Sequence, residues 1–454
     1  MSGRRPVVKE QKITLDIHDL NHQGDGVGKY DNFAIFVPQA LPGERIRAAI
    51  TEVKKNFARA EVLQYCDRAA NRVEPPCPYF FRCGGCQLQH LSYNGQLQYK
   101  YNLVVDQMKK VAGIKNPKVQ EVIGMDYPWY YRNKIQIPVK SFGSQLKMGL
   151  FQKNSHNLVE IDHCMIQQSG NNQIINRLRE LMNYYQDYFS GVNLKYIVSR
   201  VGEKTGQMQV TFVTDKENFT HYAKIADNLT ENVSGIVSIM QNINKKMGTT
   251  IMGDKFRTLW GRSYLIDKLL EKKFRISAGA FYQVNSQQTE VLYQKLFDLC
   301  QLKGDGQIVD LYCGIGTITI LAAEKAKRVT GIEVSPSAVQ DAQINGDING
   351  ITNIDFYRSK AEDPEIKSLL RNMNPELVIM DPPRKGCDQQ LFQTIDLIKP
   401  EQIAYVSCNP ATMARDVLQL VELGYYPEIF QPVDMFPQTT HVEVIGIFNK
   451  IQYQ

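Results

Sequence analysis

The chain has 454 residues, of which 43% are hydrophobic and 22% are charged, and its formal net charge is +6. That length predicts about two to four domains, and the composition is typical of a soluble globular protein. No run approaches the roughly 18 apolar residues that span a bilayer, and no apolar segment follows the basic N-terminus, so we expect neither a membrane nor a secreted protein. The expected location is the cytoplasm. The modest positive charge suits a polyanionic partner better than an acidic surface would.

The N-terminal part of the chain predicts a small closed β-barrel. Apolar and polar residues alternate there in short runs such as Ile13, Leu15 and Ile17, and turns rich in glycine and proline at residues 24–28 and 41–44 separate the runs. Closed barrels of this size have no free strand edge and often bind oligonucleotides. A purely structural barrel explains the pattern equally well.

A cysteine cluster follows, with Cys77, Cys83 and Cys86 close together and Cys164 farther along the chain. Nine cysteines without a secretory signal indicate metal-binding or catalytic thiols rather than a disulfide framework. Thiolates select zinc or iron–sulfur clusters. Structural zinc sites favour two tight cysteine pairs, so three cysteines together and one remote favour a [4Fe–4S] cluster, with zinc as the alternative.

The middle of the chain predicts an α+β module. Apolar residues at helical spacing between Tyr93 and Val111 predict a helix that ends near Gly113, and alternating segments after it predict strands. Residues 129–134, Trp-Tyr-Tyr-Arg-Asn-Lys, form an aromatic and basic patch of the kind that stacks on bases and contacts phosphates. A solvated charged surface is the plainer interpretation of this patch.

From about residue 307 onward, short apolar strands alternate with helices, which predicts a doubly wound parallel sheet. A glycine turn that contains Tyr312 and Gly314 follows the first of these strands, and Glu333 ends the next strand about 20 residues later. Glycines let the backbone approach a ligand closely, and a carboxylate at that place can accept both hydroxyls of a ribose. The turn is therefore a candidate cofactor site.

Further polar residues fall at the carboxyl edge of the predicted sheet, where ligands of such sheets bind. Asp310, Asp381 and Cys408 each end or follow a strand, and Cys408 precedes an Asn-Pro turn that cannot continue its strand. Glu443 is the one charge in the last apolar strand, and it would lie beside Cys408 if that strand runs antiparallel to its neighbours. The plainer interpretations are a buried thiol and a surface carboxylate.

Together these features resemble the RNA uracil-5-methyltransferase family, in particular the bacterial 23S rRNA members with an N-terminal TRAM barrel and an iron–sulfur cluster. The resemblance covers nearly the full length of the chain. Besides the residues above, it rests on residues 280–285 (Ala-Phe-Tyr-Gln-Val-Asn), 381–384 (Asp-Pro-Pro-Arg), 407–410 (Ser-Cys-Asn-Pro) and 441–443 (His-Val-Glu).

The resemblance implies transfer of a methyl group from S-adenosylmethionine to C5 of a uridine, with a cysteine nucleophile and a glutamate base. The glycine argument adds Gly314 to the cofactor residues that the family implies. The expected site residues are Cys408 and Glu443 for catalysis; Gln283, Tyr312, Gly314, Glu333 and Asp381 for S-adenosylmethionine; and Cys77, Cys83, Cys86 and Cys164 for the [4Fe–4S] cluster.

The expected architecture is α/β with three units: an OB-like TRAM barrel at residues 1–66, a central α+β iron–sulfur domain at 67–265, and a Rossmann-like methyltransferase domain at 266–454. The family also implies that the helix at 93–112 packs on the methyltransferase domain. We expect 23S rRNA as the partner, with the target uridine in a loop or flipped out, and neither a membrane nor a protein partner.

Four alternatives stay open at this point. The family's transfer-RNA members usually lack the cluster and the barrel, which favours ribosomal RNA over a tRNA uracil-5-methyltransferase. A cytosine-5-methyltransferase would place its cysteine in a different Pro-Cys context, and an amino-methyltransferase would need no nucleophilic cysteine. The last alternative is a non-catalytic RNA-binding iron–sulfur protein.

Overall fold

The structure is a computed structural model that describes residues 6–450 except residues 144, 190, 247 and 249. Residues 1–5 and 451–454, which belong to the expected terminal domains, lie outside the described residues. Within the described ranges, no helix combines the length and the apolar character needed to cross a bilayer.

The N-terminal strands close into a five-stranded barrel, which confirms the barrel expected from the sequence. The strands are Lys12–Leu20 (β1), Gly26–Tyr30 (β2), Phe33–Val37 (β3), Arg45–Val53 (β4) and Phe57–Asp67 (β5), in the order β1-β2-β3-β5-β4. Alternate side chains of β1, among them Leu15, point into the barrel core. A Cβ on Gly28 would lie 2.6 Å from Leu15 Cγ, so only glycine allows β2 to cross β1 this closely.

A long helix, Tyr93–Lys110 (α1), follows the barrel, as the helical spacing predicts. Ser92 Oγ caps its start by accepting a hydrogen bond from Gly95 N at 3.3 Å. Val104 and Met108 on its apolar side are fully buried, together with residues of the C-terminal sheet described below. The helix therefore packs on the C-terminal part of the chain.

The middle of the chain forms a six-stranded sheet with two helices on one face. The strands of the sheet are Lys134–Phe142 (β6), Gln145–Met148 (β7), Leu194–Val201 (β10), Met208–Thr214 (β11), Ile236–Ile243 (β12) and Lys255–Gly261 (β13). Between β7 and β10, the strands Leu150–Phe151 (β8) and Leu158–Val159 (β9) form a separate small hairpin. The sheet order is β13-β12-β11-β10-β6-β7. Helices Ser169–Tyr184 (α2) and Tyr222–Asn232 (α3) cover the face that carries Ile135 and Ile137. Because side chains alternate along a strand, the opposite face carries Lys134 and Gln136.

A hairpin of Tyr264–Leu269 (β14) and Lys272–Ser277 (β15) connects the central sheet to the C-terminal part. Leu265 and Phe274 of this hairpin are fully buried in the core of the C-terminal sheet. The expected domain boundary between residues 265 and 266 falls within β14, and the hairpin that β14 forms packs in the core of the C-terminal sheet. We propose that the C-terminal unit begins with β14.

The C-terminal part forms a seven-stranded sheet with helices on both faces, which confirms the doubly wound α/β prediction. The strands are Gln307–Leu311 (β16), Arg328–Glu333 (β17), Ile354–Arg358 (β18), Leu377–Met380 (β19), Gln402–Ser407 (β20), Tyr425–Val433 (β21) and Glu443–Lys450 (β22). The helices are Ser286–Cys300 (α4), Thr317–Ala322 (α5), Pro336–Ile348 (α6), Pro364–Met373 (α7), Gln389–Ile398 (α8) and Pro410–Glu422 (α9).

The strand order of this sheet is β18-β17-β16-β19-β20-β22-β21. Strands β16 to β20 are parallel, and β22 runs antiparallel to both of its neighbours. The carboxyl ends of the parallel strands and the beginning of β22 therefore meet at one edge.

Candidate active site

Cys408 lies in the two-residue link between β20 and α9. β20 ends at Ser407, and Asn409 caps α9 by accepting a hydrogen bond from Ala411 N at 3.2 Å. Pro410 begins the helix and has no backbone N–H for strand pairing, so the chain leaves the sheet at this point. The half-buried thiol consequently lies at the carboxyl edge, next to the positive end of α9, which favours a thiolate.

Glu443 stands beside Cys408 because the last strand is antiparallel to β20. β22 begins at Glu443, and the next residue, Val444, pairs with Ser407. The antiparallel direction of the last strand, which places Glu443 beside Cys408, is thus confirmed. Glu443 is only 3% exposed, and in the described part of the chain its Oε2 has no hydrogen-bond partner. A buried carboxyl oxygen without a hydrogen-bond partner destabilises the folded protein unless a ligand or a proton provides one.

The groups around the thiol influence each other's ionisation. Burial, and then the negative charge of Glu443, raises the pKa of Cys408 to about 11, whereas Arg384 opposes this rise. Burial, and then Asp381, raises the pKa of Glu443 well above its ordinary value, and Arg384 again opposes the rise. Burial also raises the pKa of Asp381 to about 7. The positive charge of Arg384 therefore favours the ionised thiol and carboxylate.

The glycine turn between β16 and α5 adopts the sharp backbone that the sequence predicts. Tyr312, Gly314 and Gly316 have positive φ angles of 67°, 57° and 82°. Gly314 N donates to Glu333 Oε2 at 3.1 Å, and Ser335 N donates to Glu333 Oε1 at 2.7 Å. A Cβ on Gly314 would meet no atom within 4 Å, so the turn borders open space. The Glu333 carboxylate is thereby fixed at the end of β17, where it can accept further hydroxyl donors.

One cavity of about 840 Å³ joins these elements. Gln283, from the segment before α4, and Asp381, which follows β19, reach the same space. Asp310 lies near the carboxyl end of β16, as expected, but it does not line the cavity. It is fully buried and accepts a hydrogen bond from Thr319 Oγ1 at 2.6 Å. The cavity is lined by all eleven residues that the sequence nominates: Cys408, Glu443, Gln283, Tyr312, Gly314, Glu333, Asp381, Cys77, Cys83, Cys86 and Cys164.

The four cysteines nominated for a metal are close enough to influence one another. Burial, and then the neighbouring Cys164 thiol, raises the pKa of Cys86, and Cys83 and Cys77 add to the rise. Burial also raises the pKa of Cys164 to about 11. Among the residues that the structure describes, no group of three or more His, Cys, Asp or Glu side chains is arranged to hold a metal ion. The interpretation as a metal site therefore depends on the shared cavity and on thiol chemistry.

The other five cysteines include Cys408 and four without an expected role. Cys66 is exposed, and the remaining three lie in the interior: Cys300, Cys313 and Cys387.

Two residues of the site, Arg384 and His441, are not nominated from the sequence. Both line the main cavity and also a second cavity of about 450 Å³, which shares Cys408 as part of its wall. His22 of the barrel and Gln107 of α1 also line the second cavity. A signal for Arg384 was present in the sequence, because it directly follows the Asp-Pro-Pro motif. No local pattern links His22 to the thiol.

The aromatic and basic patch at 129–134 is only partly available to a ligand. Tyr131 is 1% exposed and donates its hydroxyl hydrogen to Pro437 O at 2.9 Å, and Asn133 is fully buried. Stacking of an RNA base on Tyr131 is therefore excluded in this conformation, because its ring is packed in the interior. Arg132 lines the main cavity and remains available.

Comparison with known proteins gives two family matches. The family described as tRNA (Uracil-5-)-methyltransferase matches residues 92–451, and the TRAM domain matches residues 6–63. Together the two matches cover the barrel, the helix α1, the central sheet and the C-terminal sheet.

Individual relatives extend over the same length. An uncharacterized RNA methyltransferase of Halalkalibacterium halodurans is 41% identical over 450 residues, covering 98% of each chain. An uncharacterized RNA methyltransferase of Listeria innocua is 43% identical and covers 97% of this chain and 98% of its own. The crystal structure of Pyrococcus abyssi tRNA (uracil-54, C5)-methyltransferase with S-adenosyl-L-homocysteine is 27% identical, with a TM-score of 0.74, and covers 96% of this chain and 100% of that chain.

These matches agree with a cavity that joins a strand-end thiol, a buried glutamate and a glycine turn. A family match over most of the chain and relatives above 40% identity over nearly its whole length show the family. The chain belongs to the RNA uracil-5-methyltransferase family of S-adenosylmethionine-dependent enzymes and carries an N-terminal TRAM domain.

Proposed function

We propose that this protein methylates C5 of one or two uridines in 23S rRNA, with Cys408 as the nucleophile and Glu443 as the base. The observation that carries the proposal is that Cys408, Glu443 and the glycine turn line the same cavity. A nucleophile, a base and a cofactor site at one edge of a parallel sheet are what C5 methylation requires.

The chemistry explains the need for a thiol and a carboxylate. C5 of uracil is a poor nucleophile, so the Cys408 thiolate first adds to C6 and converts the ring to an enolate. When bound, S-adenosylmethionine supplies the methyl group that C5 takes up. Glu443 then removes the C5 proton, and the electrons re-form the C5–C6 double bond as the bond to Cys408 Sγ breaks. Arg384 favours both ionised groups, because it lowers the pKa of the thiol and of the carboxyl.

The residues at the glycine turn fit S-adenosylmethionine. The Glu333 carboxylate, held by Gly314 N and Ser335 N, can accept ribose hydroxyls. The backbone around Gly314 borders open space and lets a ligand approach closely. Gln283 and Asp381 supply further polar groups on the same cavity, and Asp381 is suited to bind either the cofactor or the uracil edge.

The uridine must enter the cavity as a single base. Cys408 can reach C6 only from the face of the ring, which stacking covers in a helix, so the base has to be flipped or presented in a loop. A volume of about 840 Å³ lies within the range of pockets that take small ligands.

We also propose that Cys77, Cys83, Cys86 and Cys164 hold a [4Fe–4S] cluster with a structural or RNA-positioning role. The four thiols line one cavity and influence one another's pKa. A single zinc ion lies about 2.3 Å from each thiolate and would need tightly gathered sulfurs, whereas iron and sulfide atoms separate the cysteines of a cluster.

The metal proposal has its own test. Protein purified without oxygen should be brown and should contain iron and acid-labile sulfide, and Cys86→Ser should lose both. Colourless protein that contains zinc, without iron or sulfide, would refute the cluster.

The proposal also names the RNA substrate, which is either 23S rRNA or tRNA. By the family resemblance, a barrel together with a four-cysteine set favours 23S rRNA. The Pyrococcus abyssi enzyme, however, acts on uracil 54 of tRNA, and its match covers 96% of this chain. The barrel alone therefore does not exclude tRNA, and a tRNA uracil-5-methyltransferase is the second candidate.

Methyl mapping separates the two candidates. Both 23S rRNA and tRNA would be mapped in a strain that lacks this protein, and the strain would then be complemented with the wild type or with Cys408→Ala. We expect one or two 5-methyluridines to disappear from 23S rRNA and to return only with the wild type. Loss from tRNA alone would select the second candidate, and no loss from either RNA would refute both.

A further inference from the structure

We infer that Arg132, Lys134 and Arg200 form a phosphate-binding cluster that holds a phosphodiester of the RNA strand near the target uridine. The inference rests on the proposed function, because it assumes that an RNA strand enters the main cavity. It adds a substrate-binding site on the central sheet to the residues that carry the chemistry.

The geometry brings three cations together. Lys134 on β6 and Arg200 on β10 are directly opposite in the antiparallel register, so their side chains lie on the same face of the sheet. Arg132 precedes Lys134 by two residues, and its Nε donates to Lys134 O at 3.2 Å. Like charges directly opposite each other destabilise a sheet. The stability of the sheet therefore does not account for the pairing of Lys134 with Arg200.

In the part of the chain that the structure describes, the cations of this cluster have no carboxylate of their own. Arg200 is 3% exposed, and its Nη2 donates to Ala280 O at 2.8 Å, while its buried Nη1 has no partner within the described chain. Asp341, the carboxylate that acts on Arg200, already forms an ion pair with Arg275 at 3.4 Å. The three cations form no ion pair with any carboxylate of the described residues.

The ionisation of Lys134 reflects this surplus of positive charge. Burial, and then the charges of Arg200 and Arg132, lowers the pKa of Lys134 to about 7. All three influences act in the same direction, and no carboxylate opposes them. An anion bound here would restore the charge balance and would form charge-assisted hydrogen bonds.

Of the three cations, Arg132 lines the main cavity, and Lys134 and Arg200 lie behind it on the central sheet. Gln136, which shares a face of β6 with Lys134, also lines the cavity, as does Arg132 just before the strand. The charge of Arg132 also reaches His441, which lies two residues before Glu443. The anion that enters this cavity with a uridine is the phosphodiester of the RNA backbone, for which arginine and lysine are the usual partners.

Binding of a single-stranded oligouridylate of about eight nucleotides, followed by fluorescence anisotropy over a range of salt concentrations, tests the cluster. Lys134→Gln should weaken binding several-fold and should reduce the slope of log K against log salt by about 0.7, which corresponds to one phosphate of a single strand. Lys147→Gln is the matched control on the same sheet, because Lys147 is already paired with Glu160 at 2.8 Å. Unchanged affinity and slope in Lys134→Gln would overturn the inference.

Neutral methylphosphonate linkages placed one at a time in the oligonucleotide locate the contact. In the wild-type protein, one position should weaken binding more than the others, and in Lys134→Gln the same substitution should have no further effect. If the loss of affinity from the methylphosphonate and the loss from Lys134→Gln add at every position, Lys134 does not contact a phosphate.

Stability distinguishes binding from a structural role. Lys134→Gln removes a like-charge repulsion, so its urea midpoint should rise while RNA affinity falls; a fall of both would indicate a structural role and overturn the inference. Affinity for S-adenosylmethionine should not change, and a loss there instead of RNA affinity would assign the anion to the cofactor's carboxylate. Because these measurements record binding, they stand even if no 23S rRNA methylation is found, in which case only the proposed function fails.

Discussion

Lys100 Nζ lies 2.5 Å from Asp434 Oδ1, and neither side chain is exposed to solvent. Lys100 also donates to Phe436 O at 3.1 Å, and Tyr93 donates to Asp434 Oδ2 at 3.0 Å. Burial lowers the pKa of Lys100, and Asp434 opposes that shift. The pair joins α1 to the segment that leads into β22, so it holds in place the chain that carries Glu443.

Lys100→Met should destabilise the protein strongly, because it leaves Asp434 buried without a counter-ion. We expect the free energy of unfolding to fall by about 3 to 5 kcal/mol in urea denaturation. Lys110→Met is the control on the same helix, because its pair with Asp106 is exposed and should contribute at most about 0.5 kcal/mol. Equal effects of the two substitutions would show that the buried pair does not anchor α1. The double substitution Lys100→Met with Asp434→Asn should recover part of the lost free energy of unfolding, because it removes the unpaired buried charge.

Cys408→Ala should abolish methyl transfer and leave RNA and cofactor binding largely intact. The change removes only the atom that attacks C6, while Asn409 still caps α9. Incorporation of a labelled methyl group, measured beside the two binding affinities, checks this outcome. Cys66→Ala, at an exposed cysteine that does not line the cavity, should retain full activity. Substantial residual transfer by Cys408→Ala would exclude the thiol as the nucleophile.

Glu443→Gln should trap RNA on the enzyme. Once C5 carries the methyl group, its proton has no base to accept it, so the bond between Cys408 and C6 cannot break. A methylated protein–RNA adduct should therefore remain on a denaturing gel. The double substitution with Cys408→Ala should give no adduct. Normal turnover by Glu443→Gln would assign the proton to another base.

The contribution of Asp381 to stability in the absence of ligands should fall as the pH rises from about 3.8 to about 7. A carboxyl whose pKa is higher in the folded protein stabilises the fold below its unfolded pKa and loses that contribution as the pH rises through the folded pKa. Asp381 has a folded pKa of about 7 against an ordinary value of 3.8, and the pKa of Glu443 is also raised. Asp381→Asn should therefore be more stable than the wild type by on the order of 2 to 4 kcal/mol at pH 8. At pH 4 the difference should be small, and a difference independent of pH would contradict the raised pKa.

Arg384→Gln should shift the pH–rate profile to higher pH. Arg384 lowers the pKa of Cys408, so its loss leaves a smaller thiolate fraction at any pH below that pKa. Single-turnover methylation at pH 7.5 should slow by about three- to tenfold, and a higher pH should restore much of the rate. Arg384→Lys keeps the charge and should shift the profile less. A uniform loss across the pH range would instead indicate a role in positioning the substrate.

Local sequence patterns were sufficient for most of the fold. The barrel, α1 and the alternation of strands and helices in the C-terminal part all follow from apolar spacing and glycine turns. The hairpin β14–β15 is not predicted from the sequence, because its turn lacks the usual residues. Its turn residues, Leu270 and Glu271, have positive φ angles of 47° and 64°, yet neither is the glycine or asparagine that marks such a turn.

The sequence by itself determined the chemical groups, because a nucleophile at a strand end, a glycine turn and a lone glutamate in an apolar strand are local features. Tertiary structure alone decided which groups surround them. It buries Tyr131 and leaves Arg132 at the cavity, and it pairs Lys100 with a residue 334 positions away. Contacts of this kind depend on how whole elements pack, and no spacing within one element encodes them.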